Sequence, residues 1–100
     1  MGRVIKIGEE REVGIEITSA DGTNFMVTAT YEYKDPAGNI VASGPAQVDG
    51  HKVFVLLKPT VSNRSPVVFT CTVTPLDQQG QADPSKNVEK LIIPVLVIVP

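Results

Sequence analysis

A single histidine, His51, and a single cysteine, Cys71, limit the chemistry open to this chain. Any serine or cysteine triad must use His51, because one imidazole has to serve as the base. His51 directly follows Asp49-Gly50, a pair favoured in tight turns, and no Gly-x-Ser-x-Gly nucleophile stands anywhere in the sequence. It reads as an exposed turn residue. Cys71 falls on the apolar side of an alternating segment, where burial raises a thiol's pKa and lowers its reactivity. No catalytic residue and no enzyme activity are expected.

The aspartates raise the question of calcium, which takes loop carboxylates in β-sandwiches. Asp21, Asp35 and Asp49 stand beside or within turns marked by glycine or proline, and Asp83 precedes Pro84. Turn chemistry accounts for these positions, and no Asp-x-Asp spacing occurs. Asp77 and Asp83 would be the best pair for calcium. Zinc wants more histidine or cysteine than the chain has. No metal and no cofactor are therefore expected, and there is no glycine-rich phosphate loop. Asn63-Arg64-Ser65 matches a glycosylation sequon, but Pro66 follows it and no secretion signal accompanies it, so the match reads as chance. Tryptophan is absent, and Tyr31 and Tyr33 fall on a core face, which leaves few rings on which a sugar could stack.

The elements that hold these residues are strands. Val67–Thr74 alternates between Val67, Phe69, Cys71 and Val73 on one face and a threonine-rich face on the other. A period of two in β-branched residues marks a strand with one face in a core. Asn24–Lys34 alternates likewise, with Phe25, Val27, Ala29, Tyr31 and Tyr33 inward. Shorter strands are expected at Val4–Ile7, Glu12–Thr18, Asn39–Ser43 and Val53–Lys58. Asp21-Gly22 and Asp49-Gly50 read as two-residue hairpins and Asp35-Pro36-Ala37-Gly38 as a turn. Lys58–Pro66 reads as a crossing between sheets, and Leu76–Asn87 as the longest loop. No segment has a helical period. The expectation is one all-β domain over residues 1–100, an antiparallel β-sandwich of about seven strands.

Nine basic against eleven acidic residues give a formal charge of −2. Without a basic cluster there is no electrostatic handle for nucleic acid or for an anionic membrane. The longest apolar run, Leu91–Val99, is about half the length of a membrane-spanning helix. Met1-Gly2-Arg3-Val4-Ile5-Lys6 lacks the apolar core of a secretory signal. A lone cysteine makes no internal disulfide. These features predict a soluble protein made in the cytoplasm.

Phe69-Thr70-Cys71-Thr72-Val73 resembles the aromatic-x-Cys-x-Val pattern in the sixth strand of immunoglobulin-like domains. Phe69 replaces the corner tyrosine, and Cys71 faces Val27 or Ala29 where a partner cysteine would stand. The likeness is to the architecture, which implies an immunoglobulin-like sandwich. Tyr31 to Gly44, read as strand, Asp-x-x-Gly, strand, Ser-Gly, is similar to small immunoglobulin-like modules of phage and prophage particles. That resemblance implies a structural or accessory role in a head or tail.

The last stretch is too apolar for a strand with one wet face. Leu91, Ile93, Val95, Val97 and Val99 share one side, while Ile92, Leu96 and Ile98 share the other. Either the segment Val4–Ile7 or loops cover the second side, or Val95, Leu96, Val97, Ile98 and Val99 meet another protein subunit or a second copy of the chain. Gln78 and Gln79 in the long loop are the other candidate contacts. The expected function is a non-catalytic structural or interaction module. The alternative is a module that binds carbohydrate or a cell-surface target through loops at one end.

Overall fold

A computed structural model describes residues 3–85 and 87–100. It contains eight strands: β1 (Arg3–Val4), β2 (Arg11–Glu16), β3 (Phe25–Lys34), β4 (Ile40–Pro45), β5 (Gln47–Asp49), β6 (Lys52–Leu57), β7 (Asn63–Pro75) and β8 (Glu89–Val99). Among the described residues there is no helix, and so none long and apolar enough to cross a membrane. The all-β expectation holds.

The strands form two sheets, ordered β1-β8-β7-β3-β4 and β2-β6-β5. All neighbours are antiparallel except β1, which runs parallel to β8. The alternation read from the sequence sets the faces. Phe25, Val27 and Tyr33 of β3 and Val67, Phe69 and Cys71 of β7 are buried on one side, and Val13, Val53, Val55 and Leu57 meet them from the other sheet. Phe69 and Cys71 are fully buried, the places the period of two assigns them.

Proline positions follow from the missing N–H. Pro66 pairs with Leu96 of β8, but the β3 ladder stops at Tyr33–Val67, so no strand on that side needs its donor. Pro94 lies in the part of β8 that β1 does not reach. Gly14 sits opposite Phe54, and a Cβ there would come within 2.7 Å of the Phe54 Cβ and of the Val53 carbonyl oxygen. Only glycine fits at that crossing.

The turns divide into three outcomes. Asp35–Asn39 closes a hairpin between β3 and β4, as its sequence predicts. Asp49 pairs with Lys52, so the two-residue loop is Gly50-His51; glycine comes first with φ of 62° and His51 has negative φ, the pattern of a II′ turn. Asp21-Gly22 does not join paired strands. It lies in the passage from β2 in one sheet to β3 in the other, because β2 pairs with β6. A local Asp-Gly pair specifies a bend, and the partner of each strand is settled by distant contacts.

Candidate functional site

Two surfaces stand out, and neither contains a reactive constellation. The first is the outward face of the larger sheet where β8, β7 and β1 meet. Val95, Val97 and Val99 point into the core, so three of the five residues named at this strand as contacts are structural. Leu96 and Ile98 are half-buried on the opposite face, and Ile92 is 66% exposed. Across the ladder, Ile98 faces Val4, which is 67% exposed; Leu96 faces Pro66, and Pro94 faces Val68. These side chains make an apolar strip bounded by Lys90 and Arg64. β1 covers little of it: its two residues lie beside Val97 and Ile98, and its anchor is the next residue, Ile5, only 1% exposed, whose N–H donates to the Ile98 carbonyl at 3.0 Å.

The second surface is the end of the molecule where three loops gather. Glu16 pairs with Lys52, and Phe25 pairs with Pro75; residues 17–24, the Gly50-His51 turn, residues 76–85 and residues 87–88 therefore share one end. A cleft of about 460 Å³ opens there between the β2–β3 passage and the neighbouring ends of β7 and β8. Ile17, Phe25, Val73 and Leu91 form its apolar floor, and Thr18, Asp21, Asn24, Asn87 and Glu89 are on its walls. Asp21 is held in place: its Oδ1 accepts the Ser19 hydroxyl at 2.5 Å and the Thr23 N–H at 2.9 Å. The Ser19 hydroxyl first, then the side chain and the N–H of Thr23, lower its pKa to about 2.

His51 belongs to this end, but it is not the free turn residue its sequence suggested. Its ring stacks on Phe25 with centroids 3.9 Å apart, and its carbonyl accepts the Ile17 N–H at 2.9 Å. The residue closes the core. Cys71 is enclosed between Ala29 of β3 and Leu91 of β8, and burial pushes its thiol pKa up.

Gln78 and Gln79 are exposed at the tip of a turn the sequence left as loop. Asp77 N–H donates to the Gln81 carbonyl, Gly80 N–H donates to the Asp77 carbonyl, and Asp77 Oδ1 accepts the Gln79 and Gln81 N–H groups at 2.9 Å each. Asp35 does the same with Ala37, Gly38 and Asn39. Asp-x-x-Gly-Asn and Asp-x-x-Gly-Gln are thus one turn used twice, and the second was readable from the spacing. Asp83 Oδ1 accepts both the N–H and the hydroxyl of Ser85. The two carboxylates considered for calcium are engaged in organising their own loop. Among the described residues, no three His, Cys, Asp or Glu side chains gather as they would around a metal ion.

Asn63 has a role the sequon concealed. It is buried; its Nδ2 donates to the Tyr33 hydroxyl at 3.0 Å and to the Lys34 carbonyl at 3.3 Å, while its Oδ1 accepts the Ser65 hydroxyl at 3.2 Å. The nitrogen a glycan would occupy is a structural donor. No protein-family model, curated protein or solved structure matches this chain.

Proposed function

We propose that this chain is a non-catalytic interaction module of immunoglobulin-like topology that docks on other protein subunits, including copies of itself, through the apolar strip at β8. The strand orders support the topology. Lettered along the chain as A′, B, C, C′, D, E, F and G, the strands fall as A′GFCC′ against BED, with C, F and G in one sheet and B, E and D in the other. The observation that carries the docking surface is the row Ile92, Pro94, Leu96 and Ile98, continued by Val4 and Pro66, on a face that needs no apolar residue for the core. The likeness of Tyr31–Gly44 to phage and prophage modules gives the proposal its specific form, an accessory subunit of a head or tail.

Light scattering at increasing concentration, alone and after mixing with phage head and tail proteins, tests this. Mass should rise in one of these conditions, and Ile92→Lys with Leu96→Lys should abolish the rise while leaving the melting temperature nearly unchanged. A chain that stays monomeric and unbound throughout overturns the proposal.

The loop-end cleft favours a second reading, a module that holds a carbohydrate or a cell-surface target at that end. Its lining shares no residue with the apolar strip, so the two readings can be separated by mutation.

A further inference from the structure

We propose that the loop-end cleft receives a long cationic side chain, lysine or arginine, presented by a partner protein. The inference rests on the second reading above and not on the apolar strip. The cleft has two chemically distinct parts. Its floor is hydrocarbon from Ile17, Phe25, Val73 and Leu91, and carboxylates stand on its walls, Asp21 from the β2–β3 passage and Glu89 from the start of β8. No lysine, arginine or histidine is among the described residues lining it, so the two carboxylates have no cationic counterpart among them.

That arrangement matches an amphipathic cation. Lysine and arginine bury their methylene stems on apolar surface while their charged heads seek acceptors. Asp21 is already fixed by the Ser19 hydroxyl and by the N–H and side chain of Thr23; an ionised carboxylate has about four acceptor sites, which leaves capacity for the incoming head. A pyranose fits less well. Sugars stack on exposed rings, and the only aromatic residue in the lining, Phe25, is buried, with His51 stacked on its ring. An acidic or neutral apolar side chain would bring no opposite charge to Asp21 and Glu89.

The test is an NMR titration of the full chain with four blocked amino acids: the N-acetyl, N-methylamide forms of lysine, arginine, norleucine and glutamate, with methyl glucoside as a fifth probe. The lysine and arginine probes should move the Val73 and Leu91 methyl signals, and bind about three- to tenfold more tightly than norleucine, the ratio expected from one or two partly exposed ion pairs. Asp21→Asn combined with Glu89→Gln should bring lysine down to norleucine, and added salt should do the same in the unaltered chain. Asparagine retains the acceptor for Ser19 and Thr23, so the loop should survive, which the unchanged Thr23 amide signal would verify. Equal binding of lysine and norleucine, preference for methyl glucoside, or no response at the cleft overturns the inference. Preference for glucoside would leave the second reading standing; silence from every probe would remove both.

Discussion

Asn63 shows how a residue's role can be invisible until its neighbours are known. Tyr33 and Ser65 join it in a buried network at the end of the sandwich opposite the cleft. A buried donor deprived of its acceptor costs about 1–3 kcal/mol. Asn63→Ala should therefore destabilise the fold by about that amount, Tyr33→Phe by about 1 kcal/mol, and the double variant by less than the sum, since the pair shares one hydrogen bond. Urea unfolding of the four proteins checks it; strict additivity would mean the bond contributes nothing. Asp21 gives a prediction in pH. Its folded-state pKa of about 2 lies below the ordinary 3.8. The folded state therefore favours its ionised form. The contribution is complete above the unfolded value and is lost as pH falls from about 3.8 through about 2. A carboxyl carbon titration should place Asp21 near 2, and Ser19→Ala should raise it, because the Ser19 hydroxyl is the largest cause.

At the scale of the element, each turn and edge follows a local rule, while pairing does not. The faces of β3 and β7 were legible because a period of two assigns every second residue to the core. The hairpin at Asp35 was legible from its Asp-Pro-Ala-Gly run. The turn at Asp77 carries the same signal, but Leu76 and Ala82 form only a single bridge beside it, so no alternating strand framed it. Asp21-Gly22 misled because a bend does not record which sheets it joins. The contact between Asn63 and Tyr33 spans thirty positions, and nothing local encodes it. The site was less readable than the fold: alternation put Leu96 and Ile98 on the side opposite Val95, Val97 and Val99, but only the two-sheet arrangement shows that the valine side is core and cannot make contacts. Gly38 and Gly80 test the shared turn. Their φ values are 90° and 80°, and a Cβ at either would meet open space, so strain is purely backbone. Gly38→Ala and Gly80→Ala should each cost about 1–2 kcal/mol. The two turns occupy opposite ends, and their costs should add, as thermal denaturation of the double variant would reveal. A marked shortfall would mean the loops communicate through the sandwich.

The whole molecule is long for its mass. Its radius of gyration is 15.2 Å and its extents are 47 × 21 × 19 Å, against about 13 Å for a round domain of this length. The length follows from β7 and β8, thirteen and eleven residues that run the length of the molecule side by side. Elongation raises exposure: the accessible surface of 6442 Å² is about 900 Å² above that of a compact monomer of 10.7 kDa. That excess is close to what one partner covers in an interface of ordinary size, about 800 Å². The same topology sets the folding rate. Only β3–β4, β5–β6 and β7–β8 are joined by chain-neighbour hairpins, while β3–β7, β2–β6 and β1–β8 unite segments far apart in sequence. Closing those separations costs entropy before any core forms, which slows sandwiches to milliseconds or seconds. Stopped-flow refolding should fall in that range, and Val67→Ala, at the junction of β3, β7 and β8, should slow folding more than Val48→Ala in the short β5. Refolding in microseconds would place the transition state in the local hairpins. The order of events would then be hairpins first and sheets second, the reverse of what the long-range pairing of β3 with β7 requires.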